Sequence, residues 1–354
     1  MKKIILTGGG TAGHVTPNIA LIPGLKEKGY EIEYIGSYEG IEKTLISDCG
    51  IPYHGIATGK FRRYFDVKNF TDPFRVIKGY FQAKKFIKSI KPSVVFSKGG
   101  FVSVPVVKAA ARCGVPVVIH ESDMTPGLAN KLSFSSAKKI CCNFPETVSM
   151  LPKEKAIHTG SPIRAELYSG DKDKAKEFVG FTDDKPVIMV MGGSLGALHV
   201  NEAVRKILPD LLKSFNIIHL CGKGKVDETL KNVEGYRQYE YIKDELKDLF
   251  ALSDVLVSRA GANAICEIAA LAKPNILIPL PAKSSRGDQI LNAKSFEKQG
   301  FSVVIEEENL ADELLLKEIM SVYEHRDEYS KAMSESEQRD AVNTIIELLE
   351  EVKK

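Results

Sequence analysis

Residues 1–17, MKKIILTGGGTAGHVTP, leave a folding chain few options. Ile4, Ile5 and Leu6 form a short, partly β-branched apolar run of the kind that becomes a buried parallel strand. Gly8, Gly9, Gly10 and Gly13 break that run, and His14 to Pro17 stand where a helix should begin. A strand that ends in glycines and restarts as a helix leaves N–H groups free at the positive end of a helix dipole, a ready seat for phosphate or another anion. A second copy follows at Val187 to Met191, with Gly192, Gly193, Ser194, Leu195 and Gly196 after it. Two such starts in 354 residues predict an α/β chain of two doubly wound, Rossmann-like domains facing each other across a cleft.

The strand–helix alternation this requires can be read along most of the chain. Residues 18–28 have helical spacing, 31–35 read as a strand, and 40–49 read as a helix ending at Gly50. Residues 93–96 make a strand that runs into Gly99 and Gly100. Residues 115–119 make another, ending in His120, Glu121, Ser122 and Asp123, and 138–142 a further one. Polar groups at the carboxyl end of a parallel strand lie where such sheets bind ligands. The stretch 158–164 reads as a boundary, giving an N-terminal domain over 1–163 and a C-terminal domain over 164–337. In the latter, strands are expected at 217–220, 238–242, 254–258, 275–279 and 303–305, and a helix at 264–272. The acidic, helical terminus over 338–354 is expected to cross back onto the first domain.

No apolar run approaches the roughly 20 residues of a membrane helix. The first one is too short for a secretory signal. Six cysteines without CxxC or metal-type spacing read as reduced thiols of a cytoplasmic protein. Residues 1–163 carry 23 Lys/Arg against 12 Asp/Glu, so a basic first half is joined to an acidic second half. That imbalance points the first half towards an anionic partner such as a membrane surface or phosphates. Within it, residues 60–91 hold ten Lys/Arg against two acids, with Phe and Tyr interleaved. A helix from Pro73 would group Phe74, Ile77, Tyr80 and Phe81, with Arg75, Lys78, Lys84 and Lys85 beside them. Such a face suits anionic lipid, or covers its own sheet with a solvated basic back; no RNA-binding motif accompanies it.

Gly8, Gly10 and Gly13 fit a dinucleotide fingerprint, but Gly36 and Ser37 stand where an NAD enzyme wants an acid for the ribose. His14 can take a proton from a hydroxyl nucleophile near neutral pH, or can simply pack at the helix start. Glu267, on the helix after residues 259–263, is within reach of a ribose on a nucleotide facing that helix, or is a solvated helix glutamate. Asp288 and Gln289 follow a strand end, where such groups read sugar hydroxyls. Asp171-Lys172-Asp173 matches a DxD metal pattern but lies in a charged stretch and reads as solvated charge.

The ordered motifs GGGTAGHVTP, SKGGFVSVP, HESDMTPGLANK, TGSPIR, GGSLGA, RAGANAICEIAA and the run from Asp288 to Ala293 resemble the MurG family over nearly the whole chain. The resemblance implies a GT-B glycosyltransferase at the cytoplasmic face of the bacterial membrane, inverting, with donor in the C-terminal domain and acceptor in the N-terminal one. It would move N-acetylglucosamine from UDP-GlcNAc to the C4 hydroxyl of the lipid I muramoyl-pentapeptide. UDP-GlcNAc is then a substrate, and no metal or other cofactor is expected. By position, Thr11, Ala12, Gly13, Arg164, Ser194, Ile242, Ala262, Asn263, Ala264, Ile265, Cys266, Glu267, Asp288 and Gln289 match donor-binding positions. Ile242 matches the uracil contact and Glu267 the ribose carboxylate. His14 is the leading candidate for general base, with Asp123 as competitor; Gly99, Gly100 and Asn130 fall on the acceptor side. Phe74, Arg75, Ile77, Tyr80 and Lys84 match the family's membrane patch. Three positions depart from some members: Ala12 for Gly, Asp123 for Asn and Leu195 for Gln. Two other readings remain: the same fold acting on diacylglycerol, and a nucleotide-binding membrane adaptor without turnover.

Overall fold

The computed structural model describes residues 2–59, 68–193, 196–283, 287–336 and 340–354, with backbone alone for 68–71. Contacts divide the chain into two compact units, Met1–Arg164 with Gln338–Lys354, and Ala165–Glu337.

In the first unit, β1 (Lys2–Thr7), β2 (Tyr30–Ser37), β3 (Tyr53–Ile56), β4 (Val94–Ser97), β5 (Val117–Glu121), β6 (Lys139–Cys142) and β7 (Ala156–His158) form one parallel sheet. Its order is β3-β2-β1-β4-β5-β6-β7. Alternation along β1 feeds two cores: Ile4 and Leu6 meet Leu21 and Leu25 of the helix Thr16–Glu27, and Ile5 meets Ala83, Ile87, Val106 and Ala110 on the other face. The first core is closed by Ile345, Ile346 and Leu349 of the helix Ala341–Val352. That helix is pinned by Glu350, which accepts from Lys2 Nζ at 2.9 Å and Tyr30 Oη at 2.5 Å. With Lys353 these partners hold the Glu350 carboxyl down to about 2 against the opposing effect of burial.

In the second unit, β8 (Val187–Met191), β9 (Asn216–Leu220), β10 (Tyr236–Tyr239), β11 (Val255–Ser258), β12 (Asn275–Leu277) and β13 (Val303–Val304) form a parallel sheet of order β10-β9-β8-β11-β12-β13. Its core joins Ile188, Val190, Val255 and Val257 to Val200, Val204 and Ile207 of the helix Leu198–Leu211.

Several boundaries differ from those read in the sequence, each for a local reason. β3 and β7 are edge strands, half-buried and without an apolar run, and escaped notice for that reason. β10 covers 236–239 rather than 238–242, because fully buried Tyr236 pairs with Ile217 and sets the register. β12 stops at Leu277, before Pro279 and Pro281, which have no N–H for a ladder. The helix expected at 264–272 runs Ala262–Ala270, and that expected from Pro73 runs Lys68–Ile90. Asp171 is the cap of the helix Lys172–Val179, accepting from the backbone N–H groups of Asp173 and Lys174.

Candidate active site

Strand order reverses between β1 and β4, so the loops after these two strands stand side by side at a topological switch point. Lys98 N–H donates to the Thr7 carbonyl at 2.9 Å, and the Lys98 carbonyl lies 3.1 Å from His14 Nδ1. A carbonyl only accepts, so Nδ1 carries the proton and Nε2 presents a lone pair. Burial first, then the Lys98 charge, lowers the His14 pKa to about 4, against the Lys98 carbonyl bond and the Glu42 carboxylate. The imidazole is therefore neutral at physiological pH, in the tautomer a proton acceptor needs.

Residues distant in sequence hold the first glycine turn. Asn18 Nδ2 donates to the Thr7 and His14 carbonyls at 3.2 and 3.3 Å, and Tyr34 Oη donates to the Gly8 carbonyl at 2.8 Å. The turn read as an anion seat already holds an anion of the chain. Fully buried Glu42 accepts from Gly10 N–H at 3.2 Å and from Ser37 N–H at 3.3 Å. That narrows what the loop itself can offer a phosphate. Thr11 is exposed, and Ala12, Gly13 and His14 form one half-buried 3-10 turn.

The loop after β5 is wound around Glu121. Its buried carboxylate accepts from the N–H groups of Ser122, Asp123 and Gly127 at 2.9, 3.1 and 2.9 Å, and from Asn130 Nδ2 at 2.8 Å. Burial pushes the Glu121 pKa up despite these donors. Asn130 also donates to the His120 carbonyl at 3.2 Å, so its amide fixes this loop, beside Gly99. Asp123 is half-buried on the same loop. Glu42 and Lys98 were not singled out from the sequence, and Glu121 was read only as one of the polar groups closing a strand. The signal for Lys98 was a lone charge between an apolar strand and a glycine pair.

The second unit has its own switch point, between β8 and β11. Arg259 N–H donates to the Met191 carbonyl at 3.3 Å, which holds the loop leading into the helix Ala262–Ala270 against the end of β8. On that helix Ala262, Ile265 and Cys266 are buried, while Asn263, Ala264 and Glu267 form the half-buried stripe. Lys225 Nζ donates to the Gly196 carbonyl at 3.2 Å. Ser194 and Leu195 lie outside the described residues. Ile242 is buried just past β10. Asp288 opens the helix Asp288–Lys298, and Gln289 Oε1 accepts from Leu280 N–H at 3.0 Å. Arg164, half-buried, ends the N-terminal segment of the first unit. Among the described residues no cluster of three His, Cys, Asp or Glu has metal-binding geometry.

The basic helix Lys68–Ile90 divides its faces cleanly. Ala83 and Ile87 are buried, whereas Phe74, Ile77 and Phe81 are 75%, 54% and 61% exposed. Arg75, Lys78 and Lys85 are exposed among them; Tyr80 and Lys84, expected on the same face, are half-buried. Tyr80 instead packs edge-on against Phe81, with ring centroids 5.3 Å apart. Residues 60–67 of the basic stretch lie outside the described residues.

Residues 4–142 match the glycosyltransferase family 28 N-terminal domain and residues 187–349 its C-terminal domain. A UDP-N-acetylglucosamine–N-acetylmuramyl-(pentapeptide) pyrophosphoryl-undecaprenol N-acetylglucosamine transferase of Lachnoclostridium phytofermentans is 65% identical over 353 residues, covering 100% of this chain and 99% of that protein. A protein of the same description from Lachnospira eligens is 61% identical over 351 residues, covering 99% of each. The crystal structure of Acinetobacter baumannii MurG superposes with a TM-score of 0.76 at 26% identity, covering 99% of this chain and 100% of that one.

Proposed function

The chain belongs to the MurG family of UDP-N-acetylglucosamine–N-acetylmuramyl-(pentapeptide) pyrophosphoryl-undecaprenol N-acetylglucosamine transferases, and from that premise we propose how its loops carry the reaction. It is a GT-B glycosyltransferase that moves N-acetylglucosamine from UDP-GlcNAc to lipid I, giving lipid II in peptidoglycan synthesis. The observation that carries the reading is full-length identity of 65% to a transferase of that description.

The acceptor is the C4 hydroxyl of the muramoyl-pentapeptide. His14 Nε2 takes its proton as the oxygen attacks the anomeric carbon of the donor, with inversion, and the bond from that carbon to the UDP oxygen breaks. Asp123 is the alternative acceptor of that proton. Charge developing on the leaving diphosphate faces two helix N-termini of the second unit, those of Leu198–Leu211 and Ala262–Ala270. Glu267 holds the ribose, the Ile242 backbone meets uracil, and Arg164, Asp288 and Gln289 contact the donor. Gly99, Gly100 and Asn130 shape the acceptor side.

UDP release from UDP-GlcNAc tests the whole reading, with a short-chain lipid I analogue or diacylglycerol as acceptor. Release with the lipid I analogue alone is expected. Release with diacylglycerol would replace the acceptor class, and tight UDP binding without release from either would leave an adaptor.

No helix among the described residues is long and apolar enough to cross a membrane. Peripheral attachment to the cytoplasmic face runs through Phe74, Ile77 and Phe81, with Arg75, Lys78 and Lys85 meeting anionic headgroups. The double variant Phe74→Glu, Phe81→Glu should lose roughly ten-fold or more in partition onto phosphatidylglycerol vesicles, given the apolar area it removes. Its turnover of a soluble acceptor analogue should persist. Unchanged partition would place the contact elsewhere.

A further inference from the structure

We infer that Lys98 is a positioning residue for the transfer: its backbone holds the His14 turn while its buried ammonium holds the loop that carries Asp123. The inference rests on the reading of His14 as proton acceptor. Lys98 directly follows β4 and is fully buried. Both of its backbone polar atoms face β1 and the turn beyond it: N–H donates to the Thr7 carbonyl at 2.9 Å, and the carbonyl accepts from His14 Nδ1 at 3.1 Å. Its side chain runs the other way. Nζ lies 2.6 Å from His120 Nδ1 and 2.6 Å from Ser122 Oγ. His120 Nε2 meets the Gly160 carbonyl at 2.9 Å, so Nε2 carries the imidazole proton and Nδ1 accepts from the ammonium. Burial, then the Lys98 charge, lowers the His120 pKa well below its ordinary value, in keeping with that polarity.

One lysine therefore ties together the ends of β1, β4 and β5 at the switch point of the first unit. Taking an ammonium out of water is costly, and a neutral side chain could pack between β1 and β5 without that cost. What the charge adds is an electrostatic effect on His14. Among the described residues two charged groups act on that imidazole: Lys98, from the end of β4, disfavours the imidazolium, and Glu42, from the helix Ile41–Asp48, favours it. Lys98 outweighs Glu42, and the imidazole stays available as an acceptor.

The test compares Lys98→Met and Lys98→Arg by the pH profile of kcat/KM with a short-chain lipid I analogue, alongside His14→Ala. Removing the positive charge makes His14 easier to protonate, so the acid limb of Lys98→Met should move up by about one pH unit. Acceptor kcat/KM should fall about ten-fold at neutral pH, since the two loops lose a shared anchor. The KM for UDP-GlcNAc should hold, and Lys98→Arg, which keeps the charge, should keep the acid limb. An unmoved limb in a folded Lys98→Met protein overturns the inference while leaving the base assignment intact. Wild-type turnover in His14→Ala sinks the base assignment itself. Should Lys98→Met not fold, Ser122→Ala removes one partner of the ammonium and keeps its charge. It should raise acceptor KM about three-fold, roughly the loss of one hydrogen bond, without moving the limb; an unchanged acceptor KM overturns the inference.

Discussion

His14→Ala should lower kcat by roughly 10²–10⁴-fold, the usual worth of a positioned proton acceptor. The Kd for UDP-GlcNAc should stay near wild type, because the proposed uracil and ribose contacts, Ile242 and Glu267, belong to the second unit. The Lys98 carbonyl fixes the imidazole tautomer, so the lost group is an oriented Nε2 lone pair and not a packing residue. A full pH profile sharpens the test. His14 accepts a proton only when neutral, and burial with the Lys98 charge brings its pKa from 6.5 to about 4. Activity should therefore hold as pH falls through 6.5 and decline only as it approaches about 4. An acid limb near 6.5 in the wild type would mean that a different, unperturbed imidazole sets the limit. If His14→Ala turns over normally and Asp123→Asn does not, the proton goes to Asp123.

Gly100→Ala should be nearly as damaging, by a different route. Gly100 has φ +79°, a conformation that costs an alanine about 1–2 kcal/mol. A Cβ there would stand 2.3 Å from the Gly9 carbonyl oxygen and 3.1 Å from His14 Cδ2. The first is backbone and cannot swing aside, so the turns after β1 and β4 must separate. Overpacking of this kind adds roughly 1–3 kcal/mol, and the two effects together should cost about 2–5 kcal/mol of stability. Denaturant unfolding followed by CD checks that figure. Turnover should fall with it even where the protein is folded, because separating the turns breaks the His14–Lys98 hydrogen bond. Wild-type stability and rate would show that the turns are not held as closely as the structure has them.

What the sequence determined was the set of elements and their kind. The Ile4 to Leu6 run followed by glycines, and the Val187 to Met191 run followed by the same, could form little besides parallel strands ending in helix starts. Alternating apolar runs and helical spacings did the rest, since each is decided by residues within a few positions of one another. The seven ordered motifs carried the family, its donor and its acceptor. Strands β3 and β7 were lost because each is short, half-buried and without an apolar run.

Only the tertiary structure decided what surrounds His14. The imidazole and the carbonyl that sets its tautomer are 84 residues apart, and Lys98 lies 22 and 24 residues from His120 and Ser122. No local spacing ties those residues together. They meet because the order β2-β1-β4-β5 brings three strand ends into one row, and burial there makes a carboxylate, an ammonium and an imidazole strong neighbours. Sequence placed His14 at a helix start after the glycine turn; folding half-buried it and supplied its partners.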